Sequence, residues 1–307
     1  MNDASGLDDF ENFSSGYVVI TGLPNVGKST LLNQILHERL AIVTPKPQTT
    51  RNRILGIHNT ETAQAIFVDT PGVCDEINEL NKYLNKEIAR ALADADVVLF
   101  VVDARTPPTE AEIALAEKIA STGKPALLAL NKVDAVPDKG TLLPRIEEYK
   151  DLCPFVEVFP ISAMGGENVP ELVEKMVALL PSGPPYYARD DLTTANMRFL
   201  VAEMIREQVF LKTQKEIPYS TAVVIDEYLE PASRDDLTRI HATIHVERDS
   251  QKGIIIGAKG SMLGEIGRAA REKIERFIDG RVFLKLHVKV SKNWSRDKKS
   301  LDHLGYN

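Results

Sequence analysis

The sequence GLPNVGKS, residues 22–29, restricts what this chain can fold into more than any other feature. Two glycines separated by four residues are followed by Lys28 and Ser29, after the apolar run YVVITG and before an amphipathic segment. A glycine-rich turn between a strand and a helix lets backbone amides surround phosphate groups at the positive end of the helix dipole. We therefore expect a phosphate site formed by Gly22, Asn25, Val26, Gly27, Lys28, Ser29 and Thr30.

The pattern around this loop is that of an α/β domain. From Gly16 to about Leu180, short apolar or β-branched runs alternate with longer amphipathic segments, which is typical of a doubly wound, mostly parallel sheet. The sequence PSGPPYYARDD ends this periodicity and predicts a semi-rigid linker, and the order of elements beyond it is that of an α+β domain. The predicted organisation is a disordered extension at 1–16, domains at 17–180 and 192–307, and a linker at 181–191.

Composition argues against several classes of protein. No apolar run is long enough to span a bilayer, and the acidic first seventeen residues lack the basic start and apolar core of a secretory signal. Cys74 and Cys153 have no CxxC partner, so the sequence indicates neither a disulfide framework nor a zinc site. These features predict a cytoplasmic protein.

Charge is distributed unevenly along the chain. The whole sequence has a net charge of −7, yet residues 251–307 hold 13 Lys and Arg against 6 Asp and Glu, a net of +7. A basic end of this kind is expected where a protein contacts nucleic acid, although a merely solvated charged surface would have the same composition.

Two further motifs follow predicted strands. DTPG, residues 69–72, comes after QAIFV, which places Asp69 to hold Mg²⁺ through water and the Gly72 amide to contact a terminal phosphate. NKVD, residues 131–134, comes after PALLAL, and Asp134 can accept two hydrogen bonds from guanine that adenine cannot donate. The predicted nucleotides are therefore GTP and GDP, and the residues expected at the base are Asn131, Lys132, Asp134, Ser162, Ala163 and Met164.

The second half contains a G-x-x-G loop, Gly257 to Gly260, between apolar segments. Such a loop allows close approach of the backbone of about four single-stranded nucleotides, and Lys259 can meet a phosphate. A tight turn between helices is the alternative interpretation. The candidate RNA-binding residues here are Ile256, Gly257, Ala258, Lys259, Gly260 and Arg268.

A basic strand and tail follow this loop. Lys289 and Lys292 would extend the RNA surface, and Trp294 could stack on a base. Trp294 could equally anchor the C-terminal helix to the core. The same basic residues could rest on anionic lipid, although no lipidation motif supports an anchor.

The ordered motifs GxxxxGKS, DTPG, NKxD and SAx resemble those of translation-factor-like GTPases. PKPQTTR, residues 45–51, is similar to the first switch of the subgroup that contains Era. EIPYSTAVVIDEY, VFLKLHVKVSKNWSRD and the ending LGYN are similar to the C-terminal KH domain of that family. The resemblance extends from Tyr17 to Asn307, and on these motifs the chain is identified as a member of the Era family.

This resemblance implies a P-loop GTPase domain, a type II KH domain and several residue roles. Thr50, next to Thr49, would close over Mg²⁺ and the γ-phosphate, unless both threonines belong to a capped solvent loop. Asn25 would help to hold a K⁺ ion that replaces an arginine finger, unless it merely shapes the loop.

Val73 stands where Ras-like proteins have a water-orienting glutamine, which predicts slow hydrolysis. Catalytic roles are assigned to Asn25, Lys28, Ser29, Thr50, Asp69 and Gly72, and metal ligation to Ser29, Thr50 and Asp69.

The resemblance also implies a biological role. The KH domain would bind the single-stranded 3′ end of small-subunit (16S) ribosomal RNA, and the protein would act in assembly of the small ribosomal subunit. A monomer is expected, with peripheral membrane contact as an additional property of the family. A tRNA-modification GTPase is the main rival, but that class ends in a cysteine motif, and no cysteine follows Cys153. A KH module with a degenerate nucleotide domain is a second rival.

Overall fold

The computed structural model describes residues 12–46, 49–231, 233 and 236–306, and their contacts form two units. The first unit contains the described residues up to Ala41, together with Thr50–Asp75 and Leu84–Thr194. The second contains the described residues of Ile42–Thr49, Glu76–Tyr83 and the chain from Ala195 onward. Most of the extension predicted to be disordered lies outside the described residues, and the first strand already begins at Ser14.

The first unit is built on a six-stranded sheet in the order β2-β3-β1-β4-β5-β6. All neighbouring strands are parallel except β2, which pairs antiparallel with β3 at one edge. The predicted doubly wound, mostly parallel fold is therefore confirmed. The strands are β1 (Ser14–Thr21), β2 (Ile54–Asn59), β3 (Ala63–Asp69), β4 (Val97–Asp103), β5 (Ala126–Asn131) and β6 (Glu157–Ile161). The helices are α1 (Lys28–Leu36), α2 (Glu79–Asp94), α3 (Glu110–Ser121), α4 (Leu142–Lys150) and α5 (Val169–Ala178). The residues of α2 up to Tyr83 belong to the second unit.

The apolar runs form the central strands for the expected reason. In β4, six consecutive apolar residues are buried, because helices cover both faces of a parallel sheet. The carboxyl ends of β1, β3, β4 and β5 lie at one edge of this sheet, since these strands are parallel. Residues 22, 69, 103 and 131 therefore share one edge.

The predicted linker is bound to the first unit. Gln64 of β3 is fully buried and bonds the backbone of Tyr186 and Tyr187, and the Leu192 carbonyl accepts from Ile57 of β2. Thr193 donates to the carbonyl of Leu55. The segment from 181 to 193 thus lies along the sheet, and the first unit continues to Thr194.

The second unit has a three-stranded sheet in the order β7-β8-β9, with β7 antiparallel and β9 parallel to β8. Helices α6 and α8 contribute Ile205, Ile266 and Ile274 to a core shared with the sheet. The predicted α+β fold of this half is confirmed. Its elements are α6 (Met197–Lys212), β7 (Ala222–Leu229), β8 (Thr238–Val246), α7 (Asp249–Ile256), α8 (Ser261–Ile278), β9 (Val282–Val290) and α9 (Lys298–His303).

Within the described ranges, no helix combines the length and apolar character needed to cross a bilayer.

Candidate functional site

The glycine-rich loop connects β1 to α1, which begins at Lys28. Gly27 has a left-handed backbone with φ of 104°, and a Cβ at this position would collide with the side-chain amide of Asn131. Asn25 is also left-handed, with φ of 64°, a conformation that asparagine tolerates better than most residues. The loop therefore needs these residue types for its shape alone.

Lys28 is buried in the centre of this loop. Its Nζ donates to the carbonyl oxygens of Gly22 and Leu23, at 3.0 and 2.9 Å. Burial lowers the pKa of Lys28 to about 8, although the nearby Asp69 carboxylate opposes the shift. The loop thus holds a poorly solvated amine that a phosphate group would stabilise in its charged form.

Three oxygen-bearing side chains converge beside Lys28. The Ser29 hydroxyl donates to Asp69 Oδ2 at 2.6 Å and lies 2.8 Å from the Thr50 hydroxyl, which lies 3.4 Å from the same carboxylate oxygen. The other oxygen, Asp69 Oδ1, is buried and has no hydrogen-bond partner among the described residues. Burial raises the pKa of Asp69 to about 6, against the opposing effects of Lys28, Ser29 and Thr50.

This donor set fits Mg²⁺, which prefers hydroxyl, carboxylate and phosphate oxygens and retains several waters. The unpartnered Oδ1 is the atom that a metal-bound water would satisfy. The described chain contains no group of three or more His, Cys, Asp and Glu side chains able to hold a metal, so this mixed oxygen cluster is the metal site that its chemistry supports.

Gly72 brings the chain after β3 directly against the phosphate loop. A Cβ at Gly72 would lie 2.6 Å from the backbone nitrogen of Pro24, so no larger residue fits without moving one of the two loops. Val73 is partly buried and packs against the core of the first unit. A hydrocarbon side chain at that position cannot orient a water molecule.

Asn131 ties the phosphate loop to the loop after β6. Its side-chain nitrogen donates to the Val26 carbonyl at 2.7 Å, and its side-chain oxygen accepts from the Ala163 amide at 2.8 Å. The Ala163 amide is therefore occupied within the protein. Ser162 is buried and accepts from the Gly165 amide at 2.9 Å, whereas Met164 is exposed.

Asp134 lies in the 3₁₀ turn Val133–Ala135, and it is exposed. Its carboxylate makes no hydrogen bond or ion pair with the residues that the structure describes. Lys132 takes a left-handed backbone, and its Nζ donates to the Asn25 carbonyl at 2.5 Å and to Asp103 at 2.8 Å. Asp134 is thus turned outward beside an internally bonded Lys132.

Asp103 and Arg105 belong to this site but were not predicted. Arg105 donates to both carboxylate oxygens of Asp103, at 2.8 and 2.6 Å. Although burial opposes it, the hydrogen bonds from Arg105 and Lys132 hold the pKa of Asp103 well below its usual range. The position of Asp103 could have indicated its place in the site, because Asp103 is the last residue of β4 just as Asp69 is the last residue of β3.

In the second unit, a cavity of about 480 Å³ lies beside the G-x-x-G loop. Gly257 and Lys259 both have positive φ, 71° and 50°, and Ala258 and Lys259 are exposed. Of the predicted RNA residues, Gly260 and Arg268 line the cavity, and Ile256 to Lys259 form or adjoin its loop. The lining is Gly260, Leu263, Gly264, Gly267, Arg268, Arg271, Val282, Phe283, Leu284 and Leu286.

The proteins most informative for comparison are full-length relatives. GTPase Era of Geobacter metallireducens is 51% identical over 296 residues, which cover 96% of this chain and 98% of that protein. GTPase Era of Geotalea daltonii is 50% identical over 297 residues, with 96% and 99% covered. The chain belongs to the GTPase Era family. The resemblance stated from the sequence motifs is thereby confirmed.

Family and structural matches agree with the two units. Residues 17–132 match the family described as 50S ribosome-binding GTPase, and residues 216–295 match the KH domain family. A variant of Aquifex aeolicus Era bound to GDP·AlF4⁻ is 38% identical, with a TM-score of 0.91 and coverage of 96% of this chain and 99% of that one. Era in complex with MgGDPNP and nucleotides 1506–1542 of 16S ribosomal RNA matches with the same identity and coverage and a TM-score of 0.92.

The contacts of Trp294 decide between its two interpretations, base stacking and core anchor, and correct its assignment as an RNA-binding residue. Trp294 is fully buried, its ring stacks on Tyr306 with centroids 5.7 Å apart, and its Nε1 donates to the Ser220 carbonyl at 2.9 Å. A ring enclosed in this way has no exposed face on which a nucleotide base could stack. Trp294 therefore anchors the C-terminal segment to the core and does not bind RNA. Lys289 and Lys292 are exposed, but neither lines the cavity.

Proposed function

We propose that this protein binds and slowly hydrolyses GTP in its first unit and binds the single-stranded 3′ region of 16S ribosomal RNA through its second. The observation that carries the first part is the convergence of Ser29, Thr50 and Asp69 beside the buried Lys28. Asp134 supports guanine as the base, because its outward carboxylate can accept from the ring N–H and the exocyclic amine.

Each residue of this site has a defined task toward the nucleotide. Lys28 would exchange its two carbonyl partners for phosphate oxygens, and the loop amides would hold the β-phosphate. Ser29, Thr50 and Asp69 would hold Mg²⁺, which when bound neutralises charge on the β- and γ-phosphates. The Gly72 amide would contact the γ-phosphate. Since Val73 cannot accept a proton or orient water, we propose that the basal rate is slow.

We also propose that K⁺ stimulates hydrolysis through Asn25, a role that rests on the family resemblance at this residue. Because the backbone of Asn25 is left-handed, Asn25→Gly removes the side chain without backbone strain, whereas Asn25→Asp keeps an oxygen ligand. Turnover should rise when K⁺ replaces Na⁺ at equal ionic strength in the wild type and in Asn25→Asp, but not in Asn25→Gly. Equal wild-type rates in the two salts would refute the role of K⁺ and leave the GTPase assignment intact.

The RNA proposal is supported by the cavity beside Gly257–Gly260. Glycines at its entrance leave room for a sugar–phosphate backbone, and Arg268 and Arg271 on α8 supply positive charge along one side. An Era protein has been crystallised with 16S ribosomal RNA nucleotides, which supports the same ligand class here. The role that we propose on this basis is maturation of the small ribosomal subunit.

The RNA partner can be tested by crosslinking and sequencing. The full-length protein, bound to a non-hydrolysable GTP analogue, would be crosslinked in a lysate and the attached RNA sequenced. Reads should concentrate in the 3′ end of small-subunit RNA, and the protein should cosediment with small-subunit precursors. Concentration in large-subunit RNA would instead favour the partner named in the description of the matching GTPase family. A monomeric state, cytoplasmic location and peripheral membrane contact stay predictions.

A further inference from the structure

The side chains of β8 and β9 alternate between two faces of the sheet. Ile240, Ala242 and Ile244 on β8, with Val282 and Val288 on β9, pack in the core with the helices. The residues between them therefore point to the opposite side. We call the exposed or half-exposed members of this second set the outer face: Arg239 and His241 on β8, and Phe283, Lys285, His287 and Lys289 on β9.

The strand register brings these side chains into two adjacent rows. In the parallel pairing of β8 with β9, Arg239 lies opposite Phe283 and His241 opposite Lys285. Paired residues in neighbouring strands point to the same side of a sheet. The six side chains thus form one continuous surface.

The lysine and arginine charges of the outer face are not paired with any residue that the structure describes. The side chains of Arg239, Lys285 and Lys289 form no hydrogen bond or ion pair with any residue in the described ranges. The two carboxylates contributed by β7 are already engaged: Asp226 accepts from the Thr243 hydroxyl at 2.7 Å, and Glu227 pairs with His241 at 3.1 Å.

Three of the less exposed cations of the same unit are paired. Arg206 bonds Glu203, Lys273 bonds Glu207, and Lys212 lies 4.0 Å from Glu265. Lys285 and Lys289 along β9, with Arg239 on the neighbouring strand, suit a ligand with regularly spaced negative charges.

Phe283 connects this surface to the cavity beside the G-x-x-G loop. It is 48% exposed, it contributes to the cavity lining, and its ring meets that of His241 edge to face with centroids 6.2 Å apart. Because β9 is an edge strand of the sheet, no further strand separates the cavity from the outer face. A chain leaving the cavity over β9 would therefore reach Phe283 first and the lysines next.

We propose that the outer face is a second RNA-contact surface, which takes single-stranded RNA continuing from the G-x-x-G cavity. In this arrangement Phe283 stacks on a base at the crossing, and Lys285 and Lys289 contact the following phosphates. The inference rests on the proposed RNA binding of the cavity. Continuity with that cavity and an aromatic ring at the junction favour RNA over an anionic membrane surface.

RNA length separates the two surfaces experimentally, since the loop of a KH domain holds only about four nucleotides. Fluorescence anisotropy of the full chain would compare a four-nucleotide RNA with a twelve-nucleotide RNA, both from the 3′ end of small-subunit ribosomal RNA. The wild type should bind the longer RNA more tightly. The double variant Lys285→Glu and Lys289→Glu should lose this gain and bind the short RNA as the wild type does.

Salt and stacking supply two further readouts. Removing two phosphate contacts should reduce the slope of log affinity against log salt by about 1.4 for the long RNA, at roughly 0.7 per phosphate of a single strand. Phe283→Ala should weaken the long RNA by roughly 5- to 150-fold, which is the usual range for one stacked base. The two lysine substitutions should leave binding of the short RNA unchanged. Phe283→Ala should weaken the short RNA less than the long one, because Phe283 also lines the cavity.

Matched controls distinguish this inference from the proposed function. Lys86→Glu with Lys118→Glu makes the same charge change on exposed helices of the first unit and should preserve the length gain. Ala258→Asp with Lys259→Asp should abolish binding of both RNAs through repulsion. If the wild type binds neither RNA, the proposed function fails.

The outer-face inference fails if the wild type binds the short RNA but does not bind the longer RNA more tightly. It also fails if Lys285→Glu with Lys289→Glu retains the gain. Loss of binding to phosphatidylserine vesicles in that variant, with the RNA gain intact, would assign the surface to membranes instead. Circular dichroism of each variant checks that the second unit remains folded.

Discussion

The two units present their candidate sites in opposite ways. In the first, the functional atoms are buried and bonded to one another, with Lys28 6% exposed and Asp69 fully enclosed. In the second, the cavity is open, glycines and arginines line it, and the neighbouring lysine side chains on β9 have no partner among the residues that the structure describes. The first site is thus preorganised around a small charged ligand, whereas the second is a surface that a long polymer can follow.

This difference predicts different responses to mutation. A single atom changed in the first unit should alter which ligand is recognised, because the polar groups of this site are positioned to pair with particular ligand atoms. Each substitution along the open surface of the second unit should instead lower RNA affinity by its own amount, and these amounts should add.

The largest expected effect is on base selectivity. In Asp134→Asn the side chain loses one acceptor and gains a donor, so it can no longer satisfy both guanine N–H groups. Two hydrogen bonds to a charged group, at ~1.5 to 3 kcal/mol each, correspond to a loss of GTP affinity of roughly 10²- to 10⁴-fold. The variant should gain affinity for xanthosine triphosphate, which offers a carbonyl to the new amide. Unchanged binding of both nucleotides in competition titrations would remove Asp134 from the base site.

The next effect is on stability and tests the reassignment of Trp294. Trp294→Ala should lower the free energy of unfolding of the second unit by ~3 to 5 kcal/mol, because it empties a core position and removes the bond to Ser220. Trp294→Phe should lower it less and keep wild-type RNA affinity. Denaturant unfolding followed by circular dichroism, with RNA anisotropy below the transition, measures both. Weaker RNA binding by Trp294→Phe, measured where the variant is fully folded, would restore the stacking role.

The same contrast explains how far the sequence could predict each site. Asp69 and Asn131 were placed correctly at one sheet edge because parallel strands fix their carboxyl ends and the motifs fix their spacing. Asp103 satisfies the same rule but carries no neighbouring motif, so position alone did not single it out. The α+β character of the second unit, to which β8 and β9 belong, was predicted from the order of its elements. Which residues of a strand face the core, and which strand lies at the edge, depends on packing with distant helices.

A third prediction joins the two regions. Within the second unit, Lys46 donates to the carbonyls of Phe210 and Thr213, and Arg206 donates to the carbonyl of Thr49. The next residue is Thr50, which lies in the first unit beside Ser29 and Asp69. A nucleotide that moves Thr50 would therefore displace the adjoining residues Lys46 and Thr49, whose hydrogen bonds attach them to the second unit.

We expect RNA affinity to differ between the GDP-bound and GTP-analogue-bound forms by roughly 5- to 150-fold, which corresponds to a coupling of ~1 to 3 kcal/mol. RNA must change nucleotide affinity by the same factor. Lys46→Met should reduce this factor without touching either ligand, while Lys118→Met should leave it unchanged. Identical RNA affinities with GDP, with the analogue and without nucleotide would show that the two units are only tethered.

The smallest expected effect is proton uptake on GDP binding, which reports on the burial of Lys28 in the first unit. Since burial lowers the pKa of Lys28 to about 8, about half of the protein carries a neutral amine at pH 8. Asp69, with a pKa of about 6, and the nucleotide phosphates, with a second pKa near ~6, are ionised at that pH. Phosphate binding should raise the pKa of Lys28, so GDP binding should take up about half a proton.

Calorimetry in two buffers of different ionisation enthalpy measures this uptake. Lys28→Arg should show none, because its guanidinium is already fully charged. Equal heats in both buffers for the wild type would mean that Lys28 is charged before the nucleotide arrives.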